Sequence, residues 1–144
     1  QVDVLAHADA KVAERAATAA AALPALSLCA DAAALRAPVA QPTAPEARRA
    51  LDEVRAQRAR GRALFASGKL AEAEGEQAAA LQSAEALRYA PVIAEVAFDL
   101  GMTRDSLGRY RDAEDTLHRA VVAAAEGRDD RVMTRGLARL AWVT

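Results

Sequence analysis

Apolar residues at Leu5, Ala8, Val12, Ala16, Ala19 and Leu23 recur at intervals of three and four, which places them on one face of a helix running from Val4 to Leu23. Pro24 ends that helix, because the ring disfavours helical backbone in the residue before it. The stretch ALPALSLCADAAALRAPVAQPTAP, residues 22–45, holds four of the five prolines. It predicts an irregular connector with a short helical piece from Ala30 to Arg36, tied down by burial of Leu26, Leu28 and Leu35.

Thr43-Ala44-Pro45-Glu46 has the form of a capping box with proline in the first turn, so a helix is expected from there to about Ser67, where Gly68 breaks it. A second helix, about Leu70 to Arg88, ends before Tyr89-Ala90-Pro91. Pro91 opens a third that reaches Leu107, and Gly108 stops it. A fourth, about Tyr110 to Glu126, stops at Gly127, and Asp129 or Asp130 caps a fifth that runs to the end of the chain. Nothing alternates with period two over more than a few residues, so the expected class is all-α.

Within this pattern one arrangement is copied. Gly61 and Gly101, Gly68 and Gly108, Ala73 and Ala113, Ala80 and Ala120 are each 40 positions apart, and Tyr110 lies 40 after Leu70. A fixed offset means one supersecondary unit repeated: a helix, a glycine turn and a second helix, with small residues where the helices approach.

Composition sharpens this picture. The chain is 53% hydrophobic but only 3% aromatic, so much of its apolar content is alanine, which favours closely packed helices over a thick core. At 144 residues one ordinary domain is expected, burying roughly 68–70% of the unfolded chain's surface. A formal net charge of −1 supplies no field to attract nucleic acid or an anionic membrane. The basic run Arg48-Arg49, Arg55, Arg58, Arg60 and Arg62 is interleaved with Asp52 and Glu53 and reads as a solvated face.

No stretch reaches the roughly 18–20 apolar residues of a membrane span, and Asp3, Asp9, Lys11, Glu14 and Arg15 exclude a signal peptide. A soluble segment is expected, and since the chain opens and closes within helix, it is expected to belong to a longer protein. Such a segment fits a cytoplasmic protein or one tethered to a membrane through other parts of the chain.

Candidate chemistry is sparse. Cys29 is the single cysteine, so neither an internal disulfide nor a Cys-rich zinc site can form, and it reads as a small buried apolar residue. His7 and His118 are far apart, with no metal-ligand spacing. Gly61, Gly68 and Gly75 sit in or between helices, unlike a nucleotide fingerprint, and no phosphate loop, His-Arg-Asp or Asp-Phe-Gly triplet occurs. Asp129-Asp130 and Glu114-Asp115 read as cap and solvated face. Neither catalysis nor a cofactor or metal is expected.

The repeated unit resembles the tetratricopeptide repeat (TPR), whose usual length is about 34 residues, with the extra length expected in the loop between units. Leu100-Gly101, Gly108, Tyr110, Ala113, Leu117 and Ala120 match its signature. The first copy matches more weakly, through Gly61, Leu64, Gly68, Leu70, Ala73 and Ala80, and departs from it at Arg60 and Gln77. A third copy, beginning at about Thr134 with Leu137, Leu140 and Ala141, is cut after one helix.

The resemblance implies a TPR-like right-handed α-solenoid of helix-turn-helix repeats, with units at about 48–88, 91–127 and, in part, 129–144, and residues 1–47 as an N-terminal capping helix and connector. It also implies a concave groove lined by the first helix of each unit. Carried onto this chain, the groove positions are Arg55, Arg58, Arg62 and Phe65, then Glu95, Phe98, Met102 and Asp105, then Arg135, Ala138 and Trp142. Three arginines on one face would hold a carboxylate or acidic peptide, with Phe98, Met102 and Trp142 as an apolar floor. Burial of Phe98 and Trp142 between repeats is the competing reading. The Lys/Asn arrangement that grips a chain-terminal carboxylate in chaperone-binding TPR domains is not reproduced.

HADAKVAERAATAAAALPALSLCADAAALRAPVAQP, followed by LRYAPVIAEVAFDLG and LGRYRDAEDTL, is similar to the region after the kinase domain in large serine/threonine protein kinases of myxobacteria and their relatives. This resemblance implies a non-catalytic protein-protein interaction module that localises or regulates a kinase by binding a protein or peptide partner. The alternative is a structural spacer or homodimerisation element using the last helix.

Overall fold

The computed structural model describes residues 39–143 together with Ala16. The expected helix over 4–23, the connector with Cys29, the short helix at Ala30–Arg36 and His7 lie outside this range. Among the described residues five helices and no strand occur: α1 (Pro45–Ala66), α2 (Leu70–Leu87), α3 (Ala90–Ser106), α4 (Tyr110–Glu126) and α5 (Asp130–Val143). The described part is all-α, and each of these five helices ends within about a residue of its expected position.

One expected cap does not form. Pro45 occupies the first helical position, which makes Ala44 the cap residue, with no side-chain bond. Thr43 then falls one residue too early to reach the exposed N–H groups, and the proline fills a place whose N–H would have had no partner. Asp129 does cap α5: its Oδ1 accepts the Val132 N–H at 3.0 Å.

The 40-residue offset extends to the backbone. After α1, Gly68 (φ 79°) closes a turn in which its N–H reaches the Phe65 carbonyl at 3.0 Å and the Lys69 N–H reaches that of Leu64 at 2.9 Å. After α3, Gly108 (φ 75°) repeats both bonds, to Asp105 and from Arg109 to Arg104, at 2.9 Å each. These are Schellman closures, which need a left-handed residue. Arg88 (φ 52°) and Arg128 (φ 53°), again 40 apart, adopt the same conformation without being glycine.

The connections are short throughout, so the extra length of the unit is not in a loop. Only Arg88 and Tyr89 separate α2 from α3, and the additional residues are helical, in segments of 17 and 18 residues for α2 to α4 and 22 for α1.

Packing follows from this duplication. Gly61 lies so close to α2 that a Cβ there would stand 2.6 Å from Gln77 Cγ, and Gly101 so close to α4 that one would stand 2.7 Å from Leu117 Cγ. Both partners of the second contact are 40 residues beyond those of the first. Helix α3 touches all four other helices and buries Val92, Ala94, Val96, Ala97, Phe98, Leu100, Gly101 and Thr103, as expected of a helix that is apolar nearly all round. Helix α4, by contrast, buries one stripe built around Ala113, Leu117 and Ala120.

Candidate functional site

Side chains from α1, α3 and α5 line a cleft of about 400 Å3, with Gln77 of α2 contributing from behind. Its walls include Arg62, Phe65 and Ala66 from α1, Phe98, Asp99 and Met102 from α3, and Arg135 from α5. Residues far apart in sequence meet here because the closely approaching pairs hold α1, α3 and α5 side by side, with contacts from α1 to α3 and from α3 to α5. The structure thus brings together Arg62, Phe65, Phe98, Met102 and Arg135.

The remaining expected groove residues lie elsewhere. Arg58 does not offer its charge to a ligand: Nη1 donates to Glu95 Oε2 at 2.6 Å and Nε to Asp99 Oδ2 at 2.7 Å, bridging α1 and α3. Burial works against the Arg58 charge, but Asp99 and Glu95 outweigh it and hold the guanidinium above its ordinary pKa. Arg55 is exposed, 3.7 Å from Asp52 one turn earlier on the same helix. Asp105 is paired with Arg139, and its side chain is only 8% exposed. Ala138 is exposed, and Trp142 is 86% exposed and outside the cleft lining. The expected face of three arginines therefore reduces to Arg62, joined across the cleft by Arg135.

Neither of these two is in an ion pair with a described residue. Arg135 places its guanidinium carbon 4.4 Å from the centre of the Phe98 ring, an arrangement that orients a cation without neutralising it. Asp99 also borders the cleft, bonded to an Arg58 that it shares with Glu95, so among the lining side chains two guanidinium groups stand against one carboxylate. The net charge of the lining is therefore positive by one.

Two residues escaped the sequence reading. Asp99 is legible only through the fold, since nothing local links it to Arg58, 41 positions earlier. Gln77 had left a trace as a departure from the repeat. It is 1% exposed and stands where the second unit has Leu117, and its Oε1 accepts the Thr103 hydroxyl at 2.6 Å.

Among the described residues no group of three or more His, Cys, Asp and Glu is placed to hold a metal ion, and no helix is long and apolar enough to cross a membrane. No protein-family model matches the chain, and no curated protein or solved structure matches it.

Proposed function

We propose that this segment is a non-catalytic protein-protein interaction module built as a TPR-like solenoid, and that it presents the α1/α3/α5 cleft to a partner protein. The observation that carries this reading is the cleft itself: half-buried Phe65 and Met102 and the Phe98 ring form an apolar lining beside two arginines without carboxylate partners. A few aromatic and arginine anchors in a partly desolvated recess are what a peptide-binding hot spot requires. The duplicated turns and glycine contacts support the repeat architecture, in which first helices lie side by side. Its resemblance to segments that follow bacterial serine/threonine kinase domains suggests that the bound partner localises or regulates a kinase.

Capture of a partner from a lysate of the source organism tests this. Wild type is expected to retain a protein that Arg62→Glu combined with Arg135→Glu loses, with helicity unchanged by circular dichroism; equal retention by both overturns the reading. A second reading, the spacer or homodimerisation element, is favoured by Leu137 (52% exposed) and Trp142 (86%) on α5. It predicts a mass that rises with concentration and that Trp142→Ala returns to monomer.

A further inference from the structure

Gln77 raises a question that packing does not answer. The two units place Gly61 against Gln77 and Gly101 against Leu117 at equivalent positions, and Leu117 is 0% exposed. Leucine at 77 would fit the same arrangement and avoid burying an amide, which is costly unless its groups are satisfied. Instead a glutamine, 1% exposed, borders the cleft.

Its acceptor oxygen is used by Thr103. That hydroxyl has one proton, and its other acceptor, the Asp99 carbonyl, is farther away at 3.1 Å. No described residue accepts from the Gln77 amide nitrogen, which carries two donors and, unlike the rest of the side chain, is not sealed from solvent. The cleft thus combines two guanidinium groups without ion-pair partners and an amide whose N–H groups reach its floor: three donor side chains, with the one carboxylate at its edge already engaged by Arg58.

We infer that this cleft binds a side-chain carboxylate of an acidic peptide, held by Arg62 and Arg135, with the Gln77 amide donating from the floor and an adjoining apolar side chain against Phe65 and Met102. The inference rests on the groove reading above and adds the chemistry of its ligand. Charge complementarity selects the acidic peptide, since a basic one would meet two guanidinium groups that have no ion-pair partner. Gln77 sets specificity: its donors reward an oxygen acceptor at a place where leucine would reward only bulk.

The test uses the 144-residue chain and fluorescence anisotropy with a labelled, N-acetylated and C-amidated peptide alternating Glu and Leu, beside a counterpart with Gln for Glu. The Glu peptide is expected to bind, more weakly as salt rises. Arg62→Gln and Arg135→Gln should each weaken it about tenfold, the scale of a hydrogen bond to a charged group, while Arg55→Gln should leave it unchanged. Gln77→Leu is the decisive variant. Thr103 keeps the Asp99 carbonyl as an acceptor, so the melting temperature should hold or rise while affinity falls several-fold.

Unchanged affinity in a stably folded Gln77→Leu overturns the role of the floor amide. Equal binding of the Gln peptide overturns the carboxylate and leaves the groove reading standing, whereas binding by neither peptide overturns both. Affinity that appears only when the peptide carries a free C-terminus overturns the side-chain assignment in favour of a chain-terminal carboxylate.

Discussion

Glycines 75 and 101 show how one residue type serves opposite ends at two positions. Gly101 is buried against Leu117, with a Cβ position 2.7 Å from Leu117 Cγ and 2.8 Å from Cδ2. Gly101→Ala is therefore expected to destabilise the protein by about 1–3 kcal/mol, the usual cost of overpacking, seen as a lower urea midpoint. Gly75 lies in the middle of α2 with nothing within 4 Å of its Cβ position. There alanine restores helix propensity at no steric cost, and Gly75→Ala should raise stability by about 0.5–1 kcal/mol. Sequence shows both as glycines in helical stretches; only the 40-residue spacing, which Gly61 and Gly101 share and Gly75 does not, separates a packing glycine from an idle one. A third residue-scale case is Arg128, exposed in left-handed backbone. Gly there removes a Cβ that opposes this conformation, so Arg128→Gly is expected to raise the melting temperature.

Between elements, Arg58 joins α1 to α3 through Glu95 and Asp99. Removing the cation leaves Glu95 and Asp99, one turn apart on α3, with like charges facing each other. Arg58→Met is expected to cost about 1–3 kcal/mol by chemical denaturation, less than a fully buried pair because these side chains are 14–27% exposed. The pH dependence follows from the direction of the shift. A cation whose folded pKa is raised contributes its stability fully below the unfolded value and loses it only above the folded one. The Arg58→Met difference should therefore be the same at neutral and mildly alkaline pH. Helix boundaries were legible from proline, glycine and apolar spacing, because those signals act within a few residues. Ion pairing was not: Arg58 looked like one of three equivalent surface arginines until α3 set Glu95 and Asp99 opposite it. The misplaced extra length has a similar cause, since glycine and proline mark where a unit breaks and leave the division of residues between helix and loop unread.

Across the whole molecule, the cleft depends on α5. Arg135 comes from that helix and lies over Phe98, a side chain of α3. Five of the eleven groove positions read from the resemblance, Arg62, Phe65, Phe98, Met102 and Arg135, line this cleft; which arginines were left without a partner depended on pairings that only the folded chain brings about. A protein ending at Gly127 is expected to lose affinity for any groove ligand and to unfold at lower denaturant concentration, because Leu140 and Val132 no longer cover the core. The central place of α3 has a kinetic counterpart. Because the four other described helices all lean on it, its backbone amides cannot meet solvent until the flanking helices have let go. Hydrogen–deuterium exchange should find its protected amides the slowest of the five helices, opening only with global unfolding, while those of α5 trade their hydrogens through a smaller, earlier fluctuation. The wall of the cleft that carries Arg135 is then, among the five helices, the one whose order a bound peptide has most room to increase.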